Sequence, residues 1–242
     1  IERAIDLKYD ETSIVEAVSS EDIGKLPDAS IAESIARLPG LAAQRVQGRA
    51  STIAIRGLAG DFATTLLNGR EQASIGDNRG VEFDQYPSEL LSSAVVYKTP
   101  DAGLIGQGLS GTVDLRTVRP LTFPERTFAV NARVEKNSLG ELNPGVDDFG
   151  NRLSASYIDQ FADDTLGLAI GYARLDSPGQ AQRWNAWGYP TGTINGQPDV
   201  RIIGGSESWS TSTDNVRDGL MAVLEYQPGD NYSTALDVYY SK

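Results

Sequence analysis

The sequence predicts a mixed α/β domain followed by antiparallel strands of the kind that build a transmembrane β-barrel. Three observations predict it. Residues 1 to about 120 mix short strand runs with one well-capped helix. From about residue 121 the helical period gives way to alternation of apolar and polar residues in runs of about ten. The connections between those runs then alternate long and short, as extracellular loops and periplasmic turns do.

The first part begins with a strand candidate at "TSIVEAVS". The helix follows in "LPDASIAESIARLPG". Asp28 or Ser30 serves as N-cap, Glu33 stands three residues after Ser30 as in a capping box, Ile31, Ile35 and Leu38 share a face, and Pro39-Gly40 ends it. Strands are expected at "TIAIRG" and "TTLLNG", with a tight turn at Asn68-Gly69, a dipeptide suited to type I′ geometry. A loop "SIGDNRGVEFD" leads to a helical turn starting at Pro87, where proline is pre-organised for the first helical position. "AVVYKTP" reads as a strand, "DAGLIGQGLSG" as a glycine-rich link and "TVDLRTV" as the last strand, ending before Pro120.

In the second part "TFAVNARVEK" puts Phe128, Val130, Ala132 and Val134 on one face and Asn131, Arg133 and Glu135 on the other. Four more runs, 151 to 161, 165 to 175, 218 to 227 and 231 to 241, are similar and have the length a tilted strand needs to cross a bilayer. Tyr157, Tyr172, Tyr226, Tyr232, Tyr239 and Tyr240 lie in or near strand ends, where an aromatic girdle would draw some of them. On pattern alone an antiparallel meander with buried tyrosines is the alternative. Five strands would leave unpaired edges in lipid, so the membrane reading expects further strands beyond Lys242.

Composition removes several function classes. The 242 residues hold 21 Lys+Arg against 33 Asp+Glu, a formal charge of -12 that repels nucleic acid. With neither cysteine nor histidine, the chain lacks a thiolate nucleophile, the usual general base and the commonest metal ligands. The acidic pairs Asp147-Asp148 and Asp163-Asp164 sit in turn-like contexts that favour solvated side chains. No catalytic residue, metal site or cofactor is expected. No apolar run is long enough for a membrane-spanning helix, and no signal peptide opens the chain.

Residues 12 to 120 carry ordered motifs. "SSEDIGKLPDASIAESIARLPGLAAQR", "TIAIRGLAGDFATTLLNGREQ" and "FDQYPSELLSSAVVYKTPDAGLIGQGLSGTVDLRTVRP" together resemble the plug domain of TonB-dependent outer-membrane receptors. Their wording is similar to a proteobacterial subgroup associated with oligosaccharide uptake, apart from Gln107-Gly108-Leu109-Ser110-Gly111, where that subgroup has a glycine-richer sequence. The resemblance implies a plug at 1–120 and the first strands of a 22-stranded barrel at 121–242. It places the chain in the bacterial outer membrane, in contact with lipid. It also implies import of a ligand, an oligosaccharide for this subgroup, energised by the TonB-ExbB-ExbD complex through an N-terminal box not seen here.

By motif, Arg56 and Lys98 would be plug cations facing carboxylates on barrel strands beyond Lys242. Gly57, Asn68, Gly69 and Gly111 mark plug turns or close approaches. Ligand contacts are expected from the plug loop holding Arg70, Asp77, Asn78 and Arg79, and from the long connection between Ser177 and Arg217, which is loop-like in composition. That connection holds all three tryptophans, Trp184, Trp187 and Trp209, together with Tyr189. Flat aromatics stack on sugar C–H faces, and amides such as Asn185, Asn195 and Gln197 meet hydroxyls without charge. A ferric siderophore receptor of the same fold is the alternative within the family. A surface adhesin or other β-rich binding protein is the alternative from another class.

Overall fold

The computed structural model describes residues 2–19, 30–46, 49–86, 91–105 and 108–242. Asp28, the turn expected at Pro87, and Gln107 lie outside the described residues. The chain divides into two units, each described by itself. Unit 1 comprises Ile1–Arg133, Arg152–Leu175 and Arg217–Lys242, and unit 2 comprises Val134–Asn151 and Asp176–Val216.

The α/β part of unit 1 opens with helix α1 (Glu2–Asp10), which the sequence reading left unassigned. Ala4 and Leu7 of α1 pack on Val15, Ala17, Val95 and Tyr97. Strand β1 (Val15–Ser19) follows, then helix α2 (Ile31–Ile35). Ser30 is extended and its side chain accepts from Glu33 N, so the expected N-cap forms. Glu33's carboxylate, however, meets Arg45 Nη2 at 3.0 Å. Ile31 and Ile35 are fully buried. β2 (Leu41–Val46), also unassigned from sequence, pairs antiparallel with β3 (Arg49–Ile55). Its residues are mostly exposed, and LAAQRV groups its apolar and polar residues rather than alternating them, so no period of two marks it as a strand.

β4 (Ala63–Leu67), β5 (Arg70–Glu71), β6 (Leu91–Tyr97) and β7 (Gly111–Thr117) join β1 in a five-stranded sheet of order β1-β6-β7-β4-β5. β4 and β7 run parallel and the other pairs antiparallel. Parallel β4–β7 pairing is what a crossover rather than a hairpin requires. The core gathers Ile31, Ile35, Ile53, Ile55, Val96, Val113 and Leu115.

The strand wall follows the expected runs closely. β8 (Thr127–Lys136), β9 (Phe149–Phe161), β10 (Leu166–Asp176), β15 (Val216–Gly229) and β16 (Tyr232–Ser241) form a sheet of order β16-β15-β10-β9-β8. β10 shows the logic of its two faces. Gly167, Ala169, Gly171 and Ala173 are buried, while Ile170 and Tyr172 point out. Small inward residues let chain pack close: a Cβ at Gly167 would stand 2.9 Å from Leu121. In β15 and β16, Met221, Val223, Glu225, Asp237 and Tyr239 share the inward face, and Leu220, Leu224, Leu236, Val238 and Tyr240 are exposed on the other. An apolar outward face over an inward face that mixes small, apolar and charged residues is what a barrel strand packed on a plug would show. Tyr226 and Tyr232 meet edge to face at 6.2 Å beside the β15–β16 turn. Tyr239 instead turns inward.

Unit 2 corrects one expectation. The connection 177–217, read as a loop, contains β11 (Gly179–Trp187), β12 (Thr191–Ile194), β13 (Gln197–Arg201) and β14 (Gly205–Thr213). β11 pairs with β14 and β12 with β13, both antiparallel. "GQAQRWNAW" and "GSESWSTST" are polar on both faces, so an apolar period of two never appears.

Candidate functional site

Two tight turns shape the α/β domain's functional surface. At the first, Ile55 N donates to Leu58 O and Leu58 N to Ile55 O, both at 3.1 Å, so Arg56 and Gly57 occupy the tip with φ of 54° and 78°. A positive φ is uncommon for arginine and is held here by Arg56 N donating to Gly40 O at 2.8 Å. The Arg56 side chain is exposed and meets no carboxylate among the described residues. The run "TIAIRG", expected as a strand to its end, is therefore strand only as far as Ile55, and its last two residues form the turn.

At the second turn Asn68 and Gly69 have φ of 50° and 76°. Asn68 Oδ1 accepts from Thr117 N at 3.0 Å, Asn68 Nδ2 donates to Thr117 Oγ1 at 2.9 Å, and Gly69 N donates to Asp114 Oδ1 at 3.0 Å. β7 thereby fixes the place where Arg70 emerges.

Lys98 lies within a compact charge cluster. Its Nζ stands 3.0 Å from Glu16 Oε1 and donates to Pro39 O, and Lys8 Nζ reaches Glu16 Oε2 at 2.8 Å. Burial opposes ionisation of Glu16, but hydrogen bonds from Lys8 and Lys98 outweigh it and hold its carboxyl below the usual carboxylate range. Nearby, Tyr97 donates to Glu11 Oε1 at 3.1 Å and accepts from Arg116 Nη2 at 2.9 Å. Burial, above all, raises the Tyr97 hydroxyl to about 12. Gly111 has a φ of 148°, and a Cβ there would meet Tyr97 O at 2.6 Å.

The contacts between the α/β domain and the strand wall are pairings that sequence reasoning missed: Arg70 was expected at the ligand and Tyr239 in an aromatic girdle, and Arg119, Glu225 and Asp237 were given no role. Asp237 of β16 accepts from Arg119 Nη1 at 2.8 Å and Nη2 at 3.3 Å, and from Arg70 Nη1 at 3.3 Å. Glu225 Oε2 accepts from Leu121 N at 3.0 Å, and Glu225 Oε1 stands 3.9 Å from Arg119 Nε. Tyr239 donates to Gln85 O at 2.7 Å and stacks on Tyr86, with ring centroids 5.6 Å apart. The available signal was an acid on the inward parity of a barrel-like strand. Its partners are 118 and 167 residues away in sequence.

The segment between these moorings is the expected ligand loop. Glu82 turns inward and accepts from Ser74 Oγ at 2.8 Å and Ile75 N at 3.0 Å, while Gly80 N donates to Asp61 Oδ1 at 3.0 Å. Asp77, Asn78 and Arg79 are left exposed at the tip. Arg70 points to Asp237 as described.

In unit 2 the β11–β14 register sorts the aromatics. Arg183 pairs with Trp209, Asn185 with Glu207 and Trp187 with Gly205, so these six share one face. Trp184, opposite Ser208, is on the other. The Arg183 guanidinium lies 5.1 Å from the Trp209 ring centroid. Trp187 lies against Gly205, where a Cβ would stand 2.8 Å from the indole. Tyr189 OH donates to Ala186 O at 3.5 Å. Segment 142–147 is tied to the hairpin: Gln180 Nε2 donates to Val146 O and Asp147 O at 3.2 Å, and Asn143 Nδ2 donates to Ser210 O at 3.1 Å.

Comparison with known proteins gives one domain match and one consistent fold. Residues 8–113 match the TonB-dependent Receptor Plug Domain. The fold resembles the siderophore receptor PirA of Acinetobacter baumannii, with a TM-score of 0.66 and 17% identity over 98% of this chain and 32% of that one. It also resembles a ferric enterobactin receptor (PfeA) mutant of Pseudomonas aeruginosa, with a TM-score of 0.62 and 14% identity over 98% of this chain and 34% of the other. For the outer membrane transporter YddB of Escherichia coli the TM-score is 0.61 and the identity 16%, over 94% and 32% of the two chains. At such identities the likeness is one of fold, and the chain spans about a third of the length of these structures. No curated protein matches the sequence significantly. Residues 8–113 thus match the TonB-dependent receptor plug domain, and that domain together with the strands after it has the fold seen in the plug and first barrel strands of outer-membrane receptors such as PirA.

Proposed function

We propose that the receptor containing this chain imports a neutral oligosaccharide across the outer membrane. TonB, with ExbB and ExbD, would supply the energy through an N-terminal box not seen here. Residues 1–120 act as the plug and 121–242 as barrel strands. The mechanism is ligand binding, plug rearrangement and release into the periplasm, with no covalent step. Arg56 would meet carboxylates on barrel strands outside this chain. Lys98, already matched by Glu16, could be drawn towards such strands only by exchanging that partner. Arg70, Asp77, Asn78 and Arg79 of the plug and Trp187, Tyr189 and Trp209 of the long connection are the proposed ligand contacts, whereas Trp184, expected among them, lies on the opposite face of its hairpin.

The observation that carries the ligand class is the concentration of exposed indoles among amide and hydroxyl side chains in unit 2. Such an inventory suits sugar rings better than a multiply anionic metal complex, which a chain of charge -12 would repel. Uptake of maltose-, sucrose- and xylose-type oligosaccharides by cells carrying the intact receptor, with and without TonB, tests it. TonB-dependent uptake of one of these sugars is expected. Tight binding of ferric enterobactin with no sugar uptake would instead establish the siderophore reading, which the names of PirA and the PfeA mutant favour.

A further inference from the structure

We propose that the β11–β14 face formed by Arg183, Asn185, Trp187, Glu207 and Trp209 is a sugar-binding platform, and that Gly205 is the residue that sets it. This rests on the oligosaccharide reading above and narrows it to one surface and a ligand length. From the Arg183–Trp209 row to the Trp187–Gly205 row is four residues of strand, about 13 Å at about 3.3 Å per residue. That span suits a short oligosaccharide.

Each row has a different task. Trp187 rests on Gly205, so its indole lies along the strand and presents a flat ring for stacking on the C–H face of a pyranose. The middle row, Asn185 opposite Glu207, offers an amide donor, an amide acceptor and a carboxylate acceptor to ring hydroxyls. In the third row Trp209 holds the Arg183 guanidinium, leaving its remaining N–H groups to donate. Arg183 and Glu207 cancel in charge, so the face as a whole is matched to a neutral ligand. Trp184 faces away and has no part in it.

The test uses the intact receptor in detergent, titrated calorimetrically with maltotriose, xylotriose and raffinose. Wild type is expected to bind at least one of them. Trp187→Ala should weaken that binding about tenfold or more, the scale of one lost stacking contact. Gly205→Ala, which retains the tryptophan but pushes its ring off the strand, should weaken it comparably, whereas Trp187→Phe should retain most of it. Trp184→Ala should leave it unchanged. Sugar binding that survives both Trp187→Ala and Gly205→Ala, or falls equally in Trp184→Ala, overturns the platform and leaves the oligosaccharide reading standing. Absence of binding to all three sugars by the wild type overturns both.

Discussion

Replacing Asp237 by alanine should loosen the plug from β16, and the structure allows its size to be bounded. Asp237 is 14% exposed and receives two bonds from Arg119, itself 32% exposed, and one from Arg70, which is 67% exposed. The Arg70 arm is close to a surface ion pair, worth about 0.2–1 kcal/mol. The Arg119 arm is a forked, charge-assisted bond in a half-buried setting, worth about 1.5–3 kcal/mol. Among the described residues, loss of the carboxylate leaves Arg119 only the Glu225 carboxylate, at 3.9 Å. Together these give about 2–4 kcal/mol for the local opening, or about 30-fold or more in its equilibrium. Hydrogen exchange in the intact receptor, followed in segments 63–72 and 115–122, reads that opening directly. Arg119→Ala should reproduce most of the effect and Arg70→Ala little of it. A change below about threefold in Asp237→Ala, or a larger loss from Arg70→Ala than from Arg119→Ala, would refute the assignment of Arg119 as the principal arm.

Three further outcomes follow from the geometry. Glu16 is held below its unfolded pKa of about 4.3, so the Lys8–Glu16–Lys98 cluster stabilises above that pH and loses its contribution as pH falls through the lower folded value. Protection of residues 15–19 from exchange in the intact receptor, taken relative to the unfolded chain at the same pH, should therefore fall as pH drops through the lowered Glu16 value, and Glu16→Gln should abolish that step. Gly108→Ala would place a Cβ 2.5 Å from Thr64 N and 2.6 Å from Gly111 O, both backbone atoms. A cost of about 2 kcal/mol or more is expected, seen as faster exchange in β4 and β7. Leu236→Arg sets a charge on the outward face of β16, where Leu236 is 59% exposed. At a cost of about 2–4 kcal/mol in the bilayer, it should reduce the folded fraction measured by heat-dependent gel mobility.

The five wall strands were legible because burial on one face imposes a period of two on each run, with tight turns and long connections between them. β16 shows where that legibility stops. Its alternation puts Asp237 and Tyr239 on the inward side, but alternation carries no address for what lies opposite. Arg119 and Arg70 reach Asp237 only after the chain folds back across more than a hundred residues. The β11–β14 hairpin stayed hidden because its strands are polar on both faces. α1 escaped notice because, among the described residues, its packing rests on Ala4 and Leu7, too few to show a helical period.

By itself the amino-acid sequence determined a helix cap at Asp28 or Ser30, the Asn68-Gly69 turn and the faces of the wall strands. Each depends on the intrinsic conformational preference of a few adjacent residues or on a repeat within one strand. Only the tertiary structure decided that Lys98 is matched by Glu16, that Asp237 receives both Arg119 and Arg70, and that Trp187 and Trp209 share a face without Trp184. Charge neutralisation and strand register are set between distant segments, and no local preference encodes which partner the folded backbone brings within reach.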